Sequence, residues 1–365
     1  MTKDIAIVIE SLGGGGAQHV ASSLANAWAA KGKAVTVITF RDQASDAFKL
    51  DARIRRIVIG GSRPSRTLFA AIGSNLRRIV SLRAALKSAG APLVLAFVGA
   101  TNVLTVLAAS GLGMRIVISE RNDPARQSLG RIWDVLRRLI YRRATLVSAN
   151  SRAALQTMSA YVPAERLVFL PNPLRAEPAQ PATPMKEPFF LAVGRLEPQK
   201  AHDVLLEAFA QFARSFPDWR LAVLGDGPLR QTLERRATQP DLAGRVRFEG
   251  YAPNPFPWYR AAEALIHPAL FEGLPNAVIE AMSEGRPVVV TDAQVGLRGY
   301  VEDGANGLVV PAGSAGALCE AMAALAADPG LRNRLGAAAQ RAVDICRADR
   351  ALAEWTKAVF GQRAS

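Results

Sequence analysis

Hydrophobic residues in this chain fall in short uninterrupted runs, each followed by a stretch with helical spacing. The first run is residues 5–9, the next is residues 34–40, and a helical pattern covers about residues 17–30 between them. Strands buried on both faces of a parallel sheet give such continuous runs. Strand, glycine-rich loop, helix and strand in this order predict a βαβ unit, and hence an α/β fold with a parallel sheet.

The same alternation restarts in the second half of the chain. Residues 189–193, 220–225, 246–250 and 264–268 read as strands, with helices predicted at 201–215 and from about 228. Six prolines within residues 171–188 favour a linker, because proline disfavours helix and sheet interiors. We therefore predict an N-terminal domain at 1–170, a linker at 171–188, a C-terminal domain at 189–343 and a C-terminal segment at 344–365, helical from about 344 to 360.

Residues 88–114 contain no charged side chain, which is long enough to suggest a transmembrane helix. Glycines and a proline interrupt the segment, however, and short apolar runs bounded by such residues are typical of α/β cores. We predict a strand at 93–97, a helix at 101–110 and a strand at 115–119. The start of the chain shows no secretory signal, and Cys319 and Cys346 have no zinc-binding spacing, so we expect a reducing cytoplasm.

Positive charge is concentrated in the first half of the chain. Residues 1–180 hold 25 Lys and Arg against 10 Asp and Glu, a net +15, whereas the whole chain carries +14. Such asymmetry favours an anionic partner, either a membrane surface or nucleic acid; solubility is the simpler explanation. Many of the basic residues interleave with apolar ones on predicted amphipathic helices, which would suit an anionic membrane or a solvated outer face. They are Arg77, Arg78, Arg83 and Lys87, and Arg131, Arg137, Arg138, Arg142 and Arg143.

Two glutamates stand in apolar surroundings in the segment FEGLPNAVIEAMSEGRPVV, residues 271–289. Glu272 lies in a loop, and Glu280 lies inside a predicted helix that opens near Pro275 and ends near Gly285. The N–H groups at this helix start favour an anion. A nucleotide sugar, with a diphosphate between two sets of hydroxyls, could satisfy all three features. A helix cap with a surface glutamate is the alternative.

These residues resemble the retaining glycosyltransferases of family 4, which have the GT-B fold. The family carries two glutamates in the frame EG-x-P-N-x-x-x-E, and Glu272 and Glu280 match it. The resemblance implies two Rossmann-like, doubly wound domains that face a cleft, with a C-terminal helix that crosses back to the first domain. It also implies that Glu272 contacts the donor sugar and Glu280 the nucleotide ribose. The donor loop would include Gly273, Leu274, Pro275 and Asn276.

Further segments are similar to the same family. Arg195 and Lys200 would neutralise the donor diphosphate and stabilise its departure, although a surface loop is the alternative. Gly15 and Gly16 would approach the donor. Gly225, Asp226 and Tyr251 would line the nucleotide site, with an ordinary turn as the alternative. On the acceptor side, the resemblance suggests His19 and the segment Glu120, Arg121 and Asn122, where Glu120 would orient the acceptor hydroxyl; a turn with solvated charges is the alternative.

The resemblance therefore implies transfer of a hexose or N-acetylhexosamine from a nucleotide sugar, UDP-linked, to a lipid-linked or membrane-proximal saccharide in bacterial surface polysaccharide synthesis. We expect no cofactor and no metal ion, since no D-x-D occurs and the three histidines are far apart in sequence. We expect a peripheral protein on the inner face of the plasma membrane and no nucleic-acid partner. The alternatives are a GT-B sugar-nucleotide epimerase and a basic nucleic-acid-binding protein.

Overall fold

The structure is a computed structural model that describes residues 4–13, 15–42, 44, 46–60, 68–125, 128–175 and 184–361, with the backbone alone for 68–72 and 295. It divides into two compact units. Unit 1 comprises residues 1–175 and 349–365, and unit 2 comprises residues 176–348. Residues 176–183 of the predicted linker lie outside the described residues.

Unit 1 contains a seven-stranded sheet in which all neighbouring strands are parallel. Its strands are β1 (Ile5–Ile9), β2 (Val35–Thr39), β3 (Arg55–Val58), β4 (Leu93–Phe97), β5 (Arg115–Glu120), β6 (Leu146–Ala149) and β7 (Leu167–Phe169). Their spatial order is β3-β2-β1-β4-β5-β6-β7. The order reverses between β1 and β4, as in doubly wound folds, so the loops after these two strands diverge there.

Helices and two hydrophobic cores accompany this sheet. The helices are α1 (Gly16–Ala30), α2 (Leu68–Ala89), α3 (Gly99–Ala109), α4 (Arg131–Tyr141), α5 (Arg152–Met158) and the C-terminal α12 (Ala348–Phe360). Trp355 of α12 is fully buried, and its indole N–H donates to the Pro171 carbonyl over 2.8 Å. Arg115 of β5 donates to the carbonyls of Ala358 and Gly361 at the end of α12. Burial of the indole and these hydrogen bonds hold α12 against unit 1.

Unit 2 contains a six-stranded sheet, also parallel throughout. Its strands are β8 (Phe189–Val193), β9 (Arg220–Leu224), β10 (Val246–Gly250), β11 (Ala264–His267), β12 (Val288–Thr291) and β13 (Leu308–Val310), in the order β10-β9-β8-β11-β12-β13. Its helices are α6 (His202–Phe212), α7 (Arg230–Ala237), α8 (Phe256–Ala261), α9 (Asn276–Ser283), α10 (Ala315–Ala327) and α11 (Pro329–Ala342). The reversal of strand order here lies between β8 and β11.

The strand predictions at residues 5–9, 93–97, 189–193 and 246–250 are confirmed to the residue. For residues 5–9 and 189–193, an apolar run with a charged residue, proline or glycine on each side fixes both strand ends. The helices differ more. The helix predicted from residue 201 begins at His202, since Ala201 has a left-handed backbone (φ +49°). The helix predicted from about 228 begins at Arg230, with Leu229 as its N-cap residue.

Two further sequence predictions concern helix continuity and membrane spans. The predicted helix at 344–360 is interrupted at Arg347, whose backbone is extended (ψ 137°), so a single 3₁₀ turn, Asp344–Cys346, precedes α12. The uncharged segment 88–114 contains the buried β4 and α3, as predicted. Within the described ranges, no helix is both long and apolar enough to cross a bilayer.

Candidate active site

The carboxyl edge of the sheet in unit 2 brings together polar side chains from several loops. Strand β8 lies between β9 and β11, and the loops after β8 and β11 leave this edge in opposite directions. Ligands of doubly wound sheets bind at such a reversal of strand order. Lys200 follows β8, Glu272 follows β11, and the two side chains meet here.

Glu272 is bound by two cationic or polar partners. Its Oε1 lies 2.5 Å from the Nζ of Lys200, and its Oε2 lies 2.7 Å from the Nε2 of His267. Both partners are buried. The side-chain amide of Gln199 also donates to the Phe271 carbonyl over 2.8 Å, which ties together the two loops that carry Lys200 and Glu272. The carboxylate therefore has a fixed position at the sheet edge.

The surroundings of Glu272 keep its carboxyl group ionised. Burial by itself raises the pKa of Glu272, but the hydrogen bond and charge of His267 and the charge of Lys200 outweigh it and lower the pKa from about 4.5 to about 2. At neutral pH the group is an anion. It can accept hydrogen bonds from hydroxyl groups, but it holds no proton to donate.

Glu280 lies one element further along, inside α9. Its side chain is buried, and its Oε2 accepts a hydrogen bond of 2.9 Å from the Tyr259 hydroxyl. Pro275 precedes α9 and has no side-chain acceptor for the first N–H groups of the helix. The start of α9 thus presents a partial positive charge between the two glutamates. The alternative of an exposed surface glutamate is wrong for Glu280.

Two glycines allow the loops at this edge to lie in direct contact. Gly225 follows β9 with φ +144°, and a Cβ there would lie 1.8 Å from the Gly194 carbonyl oxygen. A Cβ on Gly296 would lie 2.1 Å from the carbonyl oxygen of Gly273, which follows Glu272. Any larger residue at either position would push the loops apart.

The two cations expected at the diphosphate have different surroundings. The Arg195 side chain is 70% exposed and forms a 2.7 Å ion pair with Glu197, whereas Lys200 is buried against Glu272. An exposed ion pair contributes little and is easily exchanged for another anion. Arg195 is therefore the more available of the two cations.

The remaining donor-side residues lie at the same edge. Asp226 is exposed and accepts the Gly227 N–H over 2.7 Å, within the turn that follows β9. Tyr251 follows β10 and is 74% exposed. Its ring is accessible as a stacking surface for a planar group. Leu274 and Asn276 are half-buried at the start of α9.

In unit 1, the loop after β1 leads to the start of α1. Gly15 and Gly16 are exposed there, and no side chain caps the helix. His19, in the first turn, makes a 3.2 Å contact with Ser23 through Nε2. Burial, and then the charges of Arg175 and Arg121, lower the pKa of His19 to about 4, so the ring is neutral at pH 7.

The alternative of a turn with solvated charges is wrong for Glu120, and its carboxylate is not presented to an acceptor hydroxyl. Glu120 is 1% exposed, and its carboxylate accepts hydrogen bonds from the Tyr141 hydroxyl at 2.8 Å and the Arg121 N–H at 3.1 Å. The Arg137 guanidinium lies 4.0 Å from the Glu120 carboxylate and is itself buried. The prediction that Arg137 belongs to an exposed basic face of α4 is therefore wrong. Burial raises the pKa of Glu120. The carboxyl group is therefore a buried hydrogen-bond acceptor in the interior of unit 1.

Arg121 and Asn122, the other residues expected on the acceptor side, differ in exposure. The Arg121 guanidinium is buried and lies 5.6 Å from the centre of the Trp355 ring. Arg121 therefore supports the packing of α12 through a cation–π contact. Asn122 is half-buried beside it. Of this segment, Asn122 is the residue with most remaining surface for a ligand.

Comparison with known proteins covers both units. Residues 15–173 match the family model of the glycosyl transferase 4-like domain, and residues 175–342 match that of glycosyl transferases group 1. The chain belongs to the GT-B glycosyltransferases. Its two Rossmann-like units, with seven- and six-stranded parallel sheets, are the domains of that fold.

The proteins similar to this glycosyltransferase include bacterial enzymes that are named for saccharide synthesis. It is 27% identical over 91% of its length, and 91% of the other chain, to a Campylobacter jejuni enzyme described as GalNAc-alpha-(1->4)-GalNAc-alpha-(1->3)-diNAcBac-PP-undecaprenol alpha-1,4-N-acetyl-D-galactosaminyltransferase. Among solved structures, Anabaena HepE in complex with UDP has a TM-score of 0.81 at 19% identity, and covers 98% of this chain and 100% of its own. WaaG, a glycosyltransferase involved in lipopolysaccharide biosynthesis, has a TM-score of 0.72 at 19% identity, with coverage of 98% and 100%.

His267 is a site residue of this glycosyltransferase that the sequence reasoning missed. The available signal was a single polar residue at the end of the apolar run ALIH, five positions before Glu272. The partners of the buried carboxylates, Tyr259 and Tyr141, were missed as well. In the part of the chain that the structure describes, no cluster of three or more His, Cys, Asp or Glu side chains could hold a metal ion.

Proposed function

We propose that this glycosyltransferase moves a hexose or N-acetylhexosamine from a UDP-sugar to a lipid-linked or membrane-proximal saccharide, with retention of anomeric configuration and without a metal ion. The family resemblance supports retention. The Campylobacter relative, whose name specifies an undecaprenyl-diphosphate-linked saccharide, supports the acceptor class. The UDP complexes of the structural neighbour HepE support the donor base.

The observation that carries the proposal is the fixed anionic carboxylate of Glu272 at the sheet reversal in unit 2. It would accept hydrogen bonds from the hydroxyls of the transferred sugar. The start of α9 and the exposed Arg195 would stabilise the diphosphate as it departs, because preorganised donors stabilise charge that develops in the transition state. Lys200 would hold Glu272 in place and reach the same phosphates with its remaining N–H groups.

Glu280 would bind the ribose of the nucleotide. Its carboxylate has Tyr259 as a partner on one oxygen. A carboxylate offers about four lone-pair sites, so ribose hydroxyls could donate to it as well as Tyr259 does. The exposed Tyr251 ring and the turn at Gly225 and Asp226 would border the rest of the nucleotide.

Unit 1 would bind the acceptor and contact the membrane. Arg131 and Arg138 of α4 are exposed, as is Arg142 directly after it, and Ile132, Val135 and Leu139 are exposed beside them. A helix with adjacent basic and apolar exposed stripes lies in the interface of an anionic bilayer. This arrangement supports a peripheral location on the inner face of the plasma membrane, where the lipid-linked acceptor is presented.

The experiment that tests the donor assignment is a thermal-shift screen of UDP-, GDP- and ADP-sugars on the purified protein. A ligand at 100 times its dissociation constant stabilises by ~2.7 kcal/mol, so the correct nucleotide should raise the melting temperature measurably. We expect UDP-sugars to do so, and transfer to a lipid-linked saccharide to follow with the same donor.

The outcomes separate the alternatives. Interconversion of two UDP-sugars without an acceptor would indicate an epimerase. Binding of DNA that weakens steeply with salt, with no shift by any nucleotide sugar, would indicate a nucleic-acid-binding protein. The matched families and the relatives described above are glycosyltransferases and give neither alternative any support.

A further inference from the structure

An apolar groove in unit 1 lies apart from the carboxylates and cations described above. Its volume is about 600 Å³, and it is bounded by α2, α3 and α4. The apolar residues that line it include Leu76, Ile79, Leu107, Ile132, Trp133 and Leu136. Small-molecule sites of proteins have volumes of roughly 300–1,000 Å³, so the groove could hold a substantial apolar ligand.

The walls of the groove continue into an exposed apolar surface. Leu76 is 58% exposed and Ile132 is 61% exposed, although both border the groove. Two further exposed side chains extend this surface: Val80 on α2, which is 67% exposed, and Val135 on α4, which is 56% exposed. A contiguous exposed apolar area of this kind marks an interaction site more often than a solvated face.

The charges around the groove are basic. Arg131 borders the groove at the first residue of α4, and Arg77 is exposed next to Leu76 on α2. Helix α2 contains no acidic residue. The single acid of α4, Asp134, is bonded to Arg137, Ser128 and Leu129. A ligand with an apolar chain and an anionic head matches this surface, because the chain suits the apolar groove and the head suits the basic residues beside it.

The position of the groove relates it to the acceptor. Gly130 and Arg131 lie at the start of α4, and α3 begins directly after β4. Helices of a parallel sheet begin at the carboxyl edge of the strands, where ligands of such sheets bind. An anionic head near Arg131 would thus lie at the edge where an acceptor saccharide is expected, with its chain running back along the groove.

We propose that this groove binds the isoprenoid chain next to the diphosphate of a polyprenyl-diphosphate-linked acceptor, and that Arg131 pairs with that diphosphate. The proposal rests on the proposed function, and it names the lipid as part of the substrate that unit 1 recognises. Exposed residues such as Val135 then meet the bilayer, while the groove takes a single chain from it.

Trp133 provides a direct measurement of occupancy. It is the one partly exposed tryptophan of the five in the chain; Trp28, Trp219, Trp258 and Trp355 are buried. Farnesyl diphosphate, added to the full-length protein without a donor, should shift the tryptophan emission to shorter wavelength and saturate. Inorganic diphosphate should leave the emission unchanged, and Trp133→Phe should abolish the shift.

Two substitutions test the walls of the groove. Leu107→Phe fills the groove, and Ile132→Asn places an amide at its exposed rim, where the fold tolerates a polar group. Each should weaken farnesyl diphosphate binding about tenfold or more, because Leu107→Phe occupies the space of the chain and Ile132→Asn removes apolar contact with it. Val80→Ser, outside the groove, is the matched control and should leave this binding unchanged.

Three results would overturn the proposal. The first is an emission shift with inorganic diphosphate that equals the shift with farnesyl diphosphate. The second is equal affinity for short-chain phosphatidylglycerol, which would indicate a site for bulk lipid. The third is unaltered binding of farnesyl diphosphate by both groove variants. If the wild-type protein binds farnesyl diphosphate saturably but transfers no sugar, only the proposed function is contradicted. Transfer to a lipid-linked acceptor with an unchanged KM in both groove variants would contradict only the groove.

Discussion

The ion pair between Lys200 and Glu272 offers the sharpest test of the site geometry. It joins the loops after β8 and β11 at the point where the strand order reverses. Glu272→Gln keeps the shape of the side chain and removes its charge, and Lys200→Met keeps the aliphatic stem and removes the ammonium group. We expect either change alone to destabilise unit 2, because each leaves one buried partner without its counter-charge.

The magnitude follows from the surroundings of Glu272. Its pKa lies at about 2 rather than 4.5, although burial acts in the opposite direction. A difference of this size corresponds to roughly 3 kcal/mol of preference for the ionised form. Breaking a buried pair costs ~3–5 kcal/mol in general, so each single variant should lose about 2–4 kcal/mol. The double variant should lose less than the sum, by about 1–3 kcal/mol.

The assay is urea unfolding at pH 7 of the wild type, both single variants and the double variant. Glu197→Gln is the matched control, because Glu197 pairs with the exposed Arg195 at the same edge. Its cost should be under about 0.5 kcal/mol. The lowered pKa also fixes the pH dependence. The contribution of Glu272 is present above pH 4.5 and is lost as the pH falls towards 2, so Glu272→Gln should flatten that part of the stability profile.

This reasoning is refuted if the losses of unfolding free energy in the two single variants add up to the loss in the double variant, since the two charges would then not interact. A control variant as costly as Glu272→Gln would also refute it, because the effect would then belong to the loop and not to the buried pair.

The other predictions concern kinetics, pH and membranes. Arg195→Ala should lower activity about 10- to 150-fold, since a charge-assisted bond is worth roughly 1.5–3 kcal/mol; wild-type kinetics in the folded variant would exclude a phosphate role. Glu272→Gln should depress kcat more than KM, whereas Glu280→Gln should chiefly raise the donor KM and weaken UDP binding. If only Glu272→Gln weakens UDP binding, the two roles are reversed. Burial, followed by the charges of His267 and Lys200, lowers the pKa of His202 from 6.5 to about 3, so its contribution to stability is full above pH 6.5 and falls by up to about 1.4 kcal/mol per pH unit as the pH drops towards 3. His202→Asn should reduce that slope in urea titrations, and an unchanged slope would contradict the burial of a neutral ring. Anionic liposomes should bind the protein more than neutral ones, and less at high salt; equal binding to both would exclude the basic helices as the cause.

Most of the strands could be predicted from the sequence because each is a local signal, but β3, β6, β7 and β13, which are only three or four residues long, were not. The meeting of Lys200 and Glu272 could not be. The two residues are 72 positions apart. They approach only because β11 pairs with β8, on the side of the sheet opposite to β9 and β10. The family resemblance assigned roles to both residues but gave no contact between them.

Glu120 shows the opposite limit. Its position at the end of a buried strand indicates a site at the sheet edge, where many α/β proteins bind ligands. Whether the carboxylate points out or in depends on what can satisfy it inside. Here Tyr141, 21 residues later, supplies a hydroxyl, and the backbone N–H of Arg121 supplies a second donor. A buried polar group is stable when such partners exist, and they are visible only in the folded chain.

The arrangement around Glu272 restricts what this residue can do in glycosyl transfer. A group that exchanges protons at neutral pH needs a pKa near 7, whereas the pKa of Glu272 is held at about 2. Lys200 and His267 each bond to one of its oxygens, and a carboxylate has about four lone-pair sites. Roughly two sites are therefore left for sugar hydroxyls. We infer that Glu272 orients the donor sugar through its fixed negative charge and does not act as a general acid, and that a protonated side chain at this position could not replace it.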